Sequence, residues 1–470
     1  MRIEASPEHQ KQSTRRFTNQ MGAAVGIAPE VASKVRYVGD AELPSVFPVS
    51  DLACAAIATA AAAAAELIAT RAGEIPAVVV DRTLASLWFT TSIRPSGWTL
   101  PSPWDPIAGD YQSADGWIRL HTNAPHHRAA ALAVLGAAAD RQAVSSAVAR
   151  WQSDTLEGAI VERHGCAATM RSIEAWAAHP QGAHVSREPL VATRFAAEGD
   201  HFHNAWSAKA PLQGIRVLDL TRVLAGPVAT RFLAGLGADV LRIDPPDWEE
   251  PALEPDVTLG KRCARLDLRV PSDRIVFETL LQHADVLVHG YRPDALEKLG
   301  FDARARQRLR PGLVDVSLDA YGFTGPWRTR RGFDSLVQMS AGIAEAGMRR
   351  LNKHRPTPLP VQALDHATGY LMAAAAIRGL TLRNTSGHGF EAKASLARTA
   401  HLLISAPMIG APTTEPSASP PKPDESDWQP HIESTDFGPA QRLSSPVVIA
   451  DQPLRWDRPA ARLGSARPAW

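Results

Sequence analysis

Asp365, in the stretch PVQALDHATGYLMAAAA, is the carboxylate whose setting singles it out. It stands just ahead of an Ala-rich helical run, and by spacing alone an aspartate there is first of all an N-cap, accepting an N–H of the first turn. The helix dipole and such hydrogen bonds favour its charged form. An ionised, fixed carboxylate is also a nucleophile that can open a thioester. Cations that could hold an anionic substrate stand near predicted strands. Lys261 and Arg262 follow Gly260, and Gly290-Tyr291-Arg292-Pro293 comes directly after an apolar run at 286–288. In open α/β sheets ligands sit beyond the carboxyl ends of strands. That position sets Arg292, with its planar fork, above an ordinary solvated arginine. Ala225-Gly226-Pro227 lies where a loop should feed a helix, with Pro227 suited to the first turn and Gly226 to close backbone approach. Such an opening suits anionic or thioester groups, although a well-capped βαβ unit would read the same way.

Other chemistries find no residues. His121, His126 and His127 (RLHTNAPHHR) lack a carboxylate or thiol at metal spacing and are expected to be structural or exposed. No metal site is expected. GxSxG, P-loop, HExxH and GxGxxG patterns are all missing.

The elements that must carry these residues alternate. Short apolar runs at 215–220, 240–243, 286–288 and 313–318 are separated by helix-length segments. This pattern predicts βαβ units and a doubly wound, Rossmann-like parallel sheet, an α/β fold, with a smaller α+β domain beside it. Four zones follow: a polar lead at 1–45, an Ala-rich helix plus small α+β domain at 46–205, the Rossmann-like part with the Asp365 helix at 206–410, and a Pro-rich linker with a short ordered end at 411–470. The chain also echoes itself. Asp51 opens an Ala-rich helix with Gly73 22 residues on and a strand-like 78–80 behind it; Asp365 does the same with Gly387 and 391–395. The ungapped register favours duplication.

Composition removes several function classes. With 50 Lys+Arg against 49 Asp+Glu, the 470-residue chain has no electrostatic reason to bind nucleic acid or an anionic membrane. Only three cysteines, Cys54, Cys166 and Cys263, are present, and they are far apart, so a reducing cytoplasm is expected. The run at 52–69 is mostly Ala and interrupted by Glu66; it reads as a soluble helix, and the polar first twenty residues show no secretory signal.

With those residues in view, the stretch 212–404 resembles the family III CoA-transferases (the CaiB/BaiF type), which include formyl-CoA transferase and carnitine CoA-transferase, with α-methylacyl-CoA racemase as a relative. The likeness rests on PLQGIRVLDLTRVLAGPVATRFLAGLGADVLRID, GKRCARLDL, ADVLVHGYRPDALEKLGF, GFDSLVQMSAG and LDHATGYLMAAAAIRGLTLRNTSGHG in family order. The resemblance implies that Asp365 is the catalytic aspartate and that Asp334 is an acidic residue near the active site. It implies backbone support from Ala225 and Gly226, and coenzyme A held by Lys261, Arg262, Tyr291 and Arg292. Coenzyme A is then a co-substrate with no permanently bound cofactor, an acyl-CoA and a small carboxylic acid are the substrates, and a homodimer is expected. The racemase branch carries a histidine where this chain has Phe333, and phenylalanine cannot shuttle a proton, which favours transfer over a 2-methylacyl-CoA racemase-like reaction.

The order of parts departs from the family. The zone 46–205 resembles the Asp helix plus small domain, yet it precedes the α/β half. No second small domain or glycine-rich shielding loop follows Asp365, so the layout is close to a circular permutation in which Asp51 is a relic. A non-catalytic CoA-binding protein is the remaining alternative.

Overall fold

Alternation along the parallel strands decides which side chain joins which core. A computed structural model describes residues 7–199, 207–409 and 421–470. Val217, Val240, Val286, Val288, Val314 and Val316 face one apolar core. Leu218, Leu220, Leu241, Ile243 and Leu287 face the other, as the two-residue period of a strand requires. Both faces of the sheet are therefore covered, and the strands read as unbroken apolar runs.

The sheet has seven strands in the spatial order Lys261–Arg265, Asp239–Asp244, Arg216–Leu220, Val286–His289, Val314–Asp319, His388–Ser395 and Val191–Glu198. The first six are parallel and the last is antiparallel to His388–Ser395. Numbered along the chain, the parallel six run 3-2-1-4-5-6, the doubly wound order. Its switch point falls between Arg216–Leu220 and Val286–His289, where a crevice opens at the strands' carboxyl ends. The mixed α/β class follows from this sheet, and each predicted strand is present to within a few residues.

Three smaller sheets accompany it. Gly109–Gln112, Trp117–Leu120 and Ala167–Thr169 form an antiparallel trio. With helices Pro125–Leu135, Arg141–Val148 and Ser153–Glu162, that trio closes a separate core around Ile118, Leu120, Val144, Leu156 and Ile160, the small α+β unit. The strands Val35–Val38, Val78–Asp81, Val447–Ile449 and Gln452–Pro453 make a second sheet, and Glu433–Thr435, Gly438–Arg442 and Ile93–Pro95 a third.

The echo has a structural form. Val49–Ala72 and Ala363–Ser386 are both 24-residue helices with the aspartate third in line and a left-handed glycine at the end, Gly73 at φ 81° and Gly387 at φ 76°. They pack against one another, and alanine on both sides lets two backbones come close. The first helix is long and apolar enough to cross a membrane, and 89% of its most apolar window is buried within the protein.

Three sequence expectations change. The lead is not a polar tail: helix Pro7–Val25 buries Phe17, Met21 and Val25, and Val35–Val38 is a strand. The Rossmann-like part does not start at 206, since Val191–Glu198 already belongs to its sheet; the 205/206 boundary itself lies outside the described residues, as does 411–420 of the Pro-rich stretch. The C-terminal zone is more than a linker with a short ordered end. Fully buried Arg442 pairs with Glu433 at 3.0 Å and approaches Asp256 at 3.4 Å, while Arg231 reaches Asp256 at 2.6 Å from the sheet's own helix. Asp256 thus neutralises two buried guanidinium groups from distant parts of the chain. Replacing it (Asp256→Ala) leaves both under-compensated and should lower unfolding stability by about 3–5 kcal/mol, read as an earlier urea midpoint.

Candidate active site

The cleft at the switch point is built from three strand ends. Leu220, Thr221, Arg222 and Val223 follow the first strand, Gly290, Tyr291 and Arg292 the fourth, and Asp319 and Ala320 the fifth. The opening is about 460 Å³, and Asp365, Phe333, His126 and His127 complete its wall.

The loop after Arg216–Leu220 is held from beneath. Asp219, wholly buried, accepts from the Thr221 N–H at 2.9 Å, the Thr230 hydroxyl at 2.5 Å and Lys261 Nζ at 3.1 Å; Lys261 also donates to the Pro227 carbonyl at 3.0 Å. Val223 sits at φ 65°, a strained conformation for a β-branched residue, and Glu250 accepts its N–H at 2.9 Å. Helix Ala225–Gly235 then starts against Thr221 and against the Asp365 helix. A Cβ at Gly226 would stand 2.3 Å from the Thr221 side chain, and one at Gly369 would stand 2.3 Å from the Ala225 carbonyl. Two glycines therefore set how closely the Ala225 turn approaches the first turn of the Asp365 helix.

That first turn overturns the capping expectation. Gln362 is the N-cap residue and Asp365 is third in the helix. The carboxylate that serves the helix end is Asp334, from helix Asp334–Ser340: its Oδ2 accepts the Asp365 N–H at 2.9 Å, its Oδ1 the Gln338 side-chain amide, and Leu364 N–H adds a further bond. Asp365 is left with no hydrogen bond to its own carboxylate among the described residues, and it faces the cleft while 7% exposed. Burial first, and the Asp334 charge second, push its pKa well above the ordinary range. Burial also raises Asp334 to about 6, against the pull of its hydrogen bonds. The two carboxyls thus hold one charge more easily than two. Asp319, lining the same cleft and accepting from Tyr321 and Gly322 N–H, is pushed well up by burial too.

Of the other expected residues, Tyr291 and Arg292 line the cleft, as does Ala225; Gly226 lies behind it against Thr221. Lys261 and Arg262 do not. Lys261 is 1% exposed and spent on Asp219 and Pro227, because an interior ammonium needs a charge partner. Arg262 points the other way, to Asp239 at 2.8 Å and the Ala469 carbonyl at 2.5 Å. In their place stand cations the motifs did not single out: Arg222, whose Nη2 donates to the Tyr291 hydroxyl at 3.2 Å, and Arg331. Arg222, Arg292 and Arg331 have no ion-pair carboxylate among the described residues, and Arg292 works against the charge of Arg331. A run of Arg330–Arg331 before a Gly-Phe-Asp turn was the available signal. His126 and His127 also line the cleft, His126 exposed as expected and His127 buried, and this shared position in its wall was not foreseen; His121 is buried and stacks on Phe333 at 3.7 Å.

Asp51 occupies the same third position in its helix and is 2% exposed. Its Oδ1 takes Arg82 Nη1 at 2.7 Å and the Thr14 hydroxyl at 2.5 Å, with Arg82 also paired to Glu42 at 2.9 Å.

Residues 212–432 match the family described as CoA-transferase family III. Over that stretch the chain is similar to the family III CoA-transferases. An acetyl-coenzyme A transferase, nodX, of Hypoxylon pulicicidum is 33% identical over 218 residues, 45% of this chain and 37% of that protein. The succinyl-CoA:glutarate CoA-transferase of Mus musculus is 31% identical over 193 residues, 38% of this chain and 44% of that protein. A crystal structure of a hypothetical protein, Rv3272, from Mycobacterium tuberculosis aligns at 30% identity and TM-score 0.38 over 42% of this chain and 56% of its own. The chain spans about half the length, or less, of the curated relatives it matches.

Two tests follow from the carboxylates. Both members of the 334/365 pair keep their protons to higher pH folded than unfolded, so the native state binds more protons and stability falls as pH rises from about 4 through about 6. Asp334→Asn removes the repelling charge, lowers the pKa of Asp365 and should flatten that decline in urea unfolding measured at stepped pH. Asp51→Asn weakens a buried ion pair and should cost about 2 kcal/mol in the same assay. Turnover per folded molecule should stay at the parent value, and its complete loss would give Asp51 a chemical role.

Proposed function

We propose that this chain is an acyl-CoA:carboxylate CoA-transferase that uses Asp365 as a covalent nucleophile. The observation that carries the reading is a carboxylate with no hydrogen bond of its own among the described residues, facing a cleft rimmed by three arginines that have no carboxylate partner among them. Arg222, Arg292 and Arg331 are suited to the phosphates of coenzyme A, which Lys261 and Arg262 cannot reach. Relatives named for succinyl-CoA, glutarate and malate support small carboxylic acids as the other substrates.

The steps conserve the thioester bond's energy. As the proton held by the pair moves to Asp334, an Asp365 oxygen attacks the thioester carbonyl carbon; the C–S bond breaks and coenzyme A leaves as its thiolate. The thiolate then attacks the aspartyl carbonyl of the resulting anhydride, releasing the first acid and leaving an aspartyl-CoA thioester. The incoming carboxylate attacks that thioester, forms a new anhydride and frees the thiolate. Thiolate attack on the new acyl carbonyl gives the product and returns Asp365 to a carboxylate. The raised pKa of Asp365 suits this role, since a more basic carboxylate is a stronger nucleophile once ionised. Phe333, packed between His121 and His127, has no proton to move, so racemisation is the weaker reading.

A cytoplasmic location, consistent with three buried free cysteines, and a homodimer drawn from family likeness complete the proposal. With a panel of acyl-CoA thioesters, Asp365→Ala should lose at least about 1,000-fold in kcat/KM. Hydroxylamine should convert residue 365 of the parent protein to a hydroxamate visible by peptide mass. An Asp365→Ala protein that still exchanges CoA would overturn the covalent role.

A further inference from the structure

We propose that His127 reads the acid portion of the substrate, and that the Asp365 cleft is built for an acyl group carrying a hydroxyl. The inference rests on the transferase reading and specifies its substrate class. His127 is 4% exposed and lines the same cleft as Asp365. Neither its Nδ1 nor its Nε2 has a hydrogen-bond partner among the described residues. In a folded interior an unmet polar atom is costly, and a site that leaves two on one ring leaves them for something that enters.

The ring cannot turn away to find partners elsewhere. It is third in helix Pro125–Leu135, with its own N–H bonded to the Ala124 carbonyl at 3.0 Å. It meets Phe333 edge-on at 5.8 Å and His126 at 4.1 Å, while Phe333 is itself clamped by His121. Phe333 precedes Asp334, so the same packing fixes His127 relative to the carboxylate pair.

The chemistry of the ring selects the ligand. A neutral imidazole presents one N–H donor and one bare nitrogen acceptor. A carboxylate only accepts and would leave the bare nitrogen facing negative charge; an ammonium only donates; an aliphatic chain does neither. A hydroxyl does both. The ring also stays neutral, because burial and the neighbouring His126, His121 and Arg331 all oppose protonation and hold it down at about 3. Sites whose buried polar groups are met only by a substrate hydroxyl reject the analogue lacking it strongly. Donor acyl group and acceptor acid occupy the same place in turn, so the hydroxyl can belong to either.

The test compares 3-hydroxybutyrate with butyrate as acceptors, and their CoA thioesters as donors, using the full-length protein. The parent should favour the hydroxylated member by about 100-fold or more in kcat/KM, in the donor arm, the acceptor arm or both. His127→Leu should bring the ratio to near unity, and His127→Gln, which keeps a donor and an acceptor, should retain part of it. No preference in the parent, or an unchanged ratio in His127→Leu, overturns the proposal. Ring-nitrogen NMR of labelled histidine in the parent supplies a readout that needs no turnover. A shift of His127 with 3-hydroxybutyrate and none with butyrate supports the hydroxyl site; equal shifts, or none, overturn it. Absence of CoA exchange with every thioester would count against the transferase reading instead, and the NMR arm would then decide this inference alone.

Discussion

Everything in the cleft depends on one substitution of partners: the first turn of the Ala363–Ser386 helix is served by a carboxylate from another helix. Asp334 takes the N–H groups that a local cap would have taken. Asp365 is thereby released from structural duty while staying beside a second acid. Burial alone would make Asp365 reluctant to ionise; Asp334 adds to that reluctance and also offers a place for the proton. The surrounding architecture exists to hold this pair against the Ala225 turn, through the backbone contact at Gly369 and the buried Asp219–Lys261 pair under the loop.

Strand positions were legible because parallel strands buried on both faces are short apolar runs, and the four runs located in the sequence all became strands. Lys261–Arg265 was missed because its alternating charges, paired in the fold to Asp219 and Asp239, hide its strand character. The same pairs explain why Lys261 and Arg262 looked like ligand cations. A charge and its partner are 42 residues apart in one case and 23 in the other, and no local pattern reveals such neutralisation. Asp365 could be found by type and place, but its capping role could not be judged without knowing that Asp334 reaches the same N–H groups. His127 was passed over because metal spacing was the criterion applied to it, whereas its significance comes from a cleft assembled from residues distant in the chain, Leu220 to Leu396.

The rearranged order of parts has a spatial resolution. The small α+β unit lies before the sheet in sequence, yet it delivers His126 and His127 to the wall of the cleft formed after it. Shape at the site therefore depends on packing between segments, not on their succession along the chain. The C-terminal strands are drawn into the same scheme, since Val447–Ile449 pairs with Val78–Asp81 and Gly438–Arg442 with Ile93–Pro95. Early, middle and late segments are interleaved in the larger core, whereas the buried residues around Ile118 and those around Leu218 each come from a single zone.

Arg82 gives the pair of long helices an asymmetry with a use. Two aspartates stand at matched positions of twinned helices in one molecule, one neutralised by a guanidinium and one without a cationic partner among the described residues. Any reagent that recognises activated carboxyl groups meets both in the same tube, at equal concentration and under the same solvent conditions, so the molecule contains its own internal standard. Differences in labelling between the twins then report local environment alone, free of the uncertainties that beset comparisons between separately prepared samples.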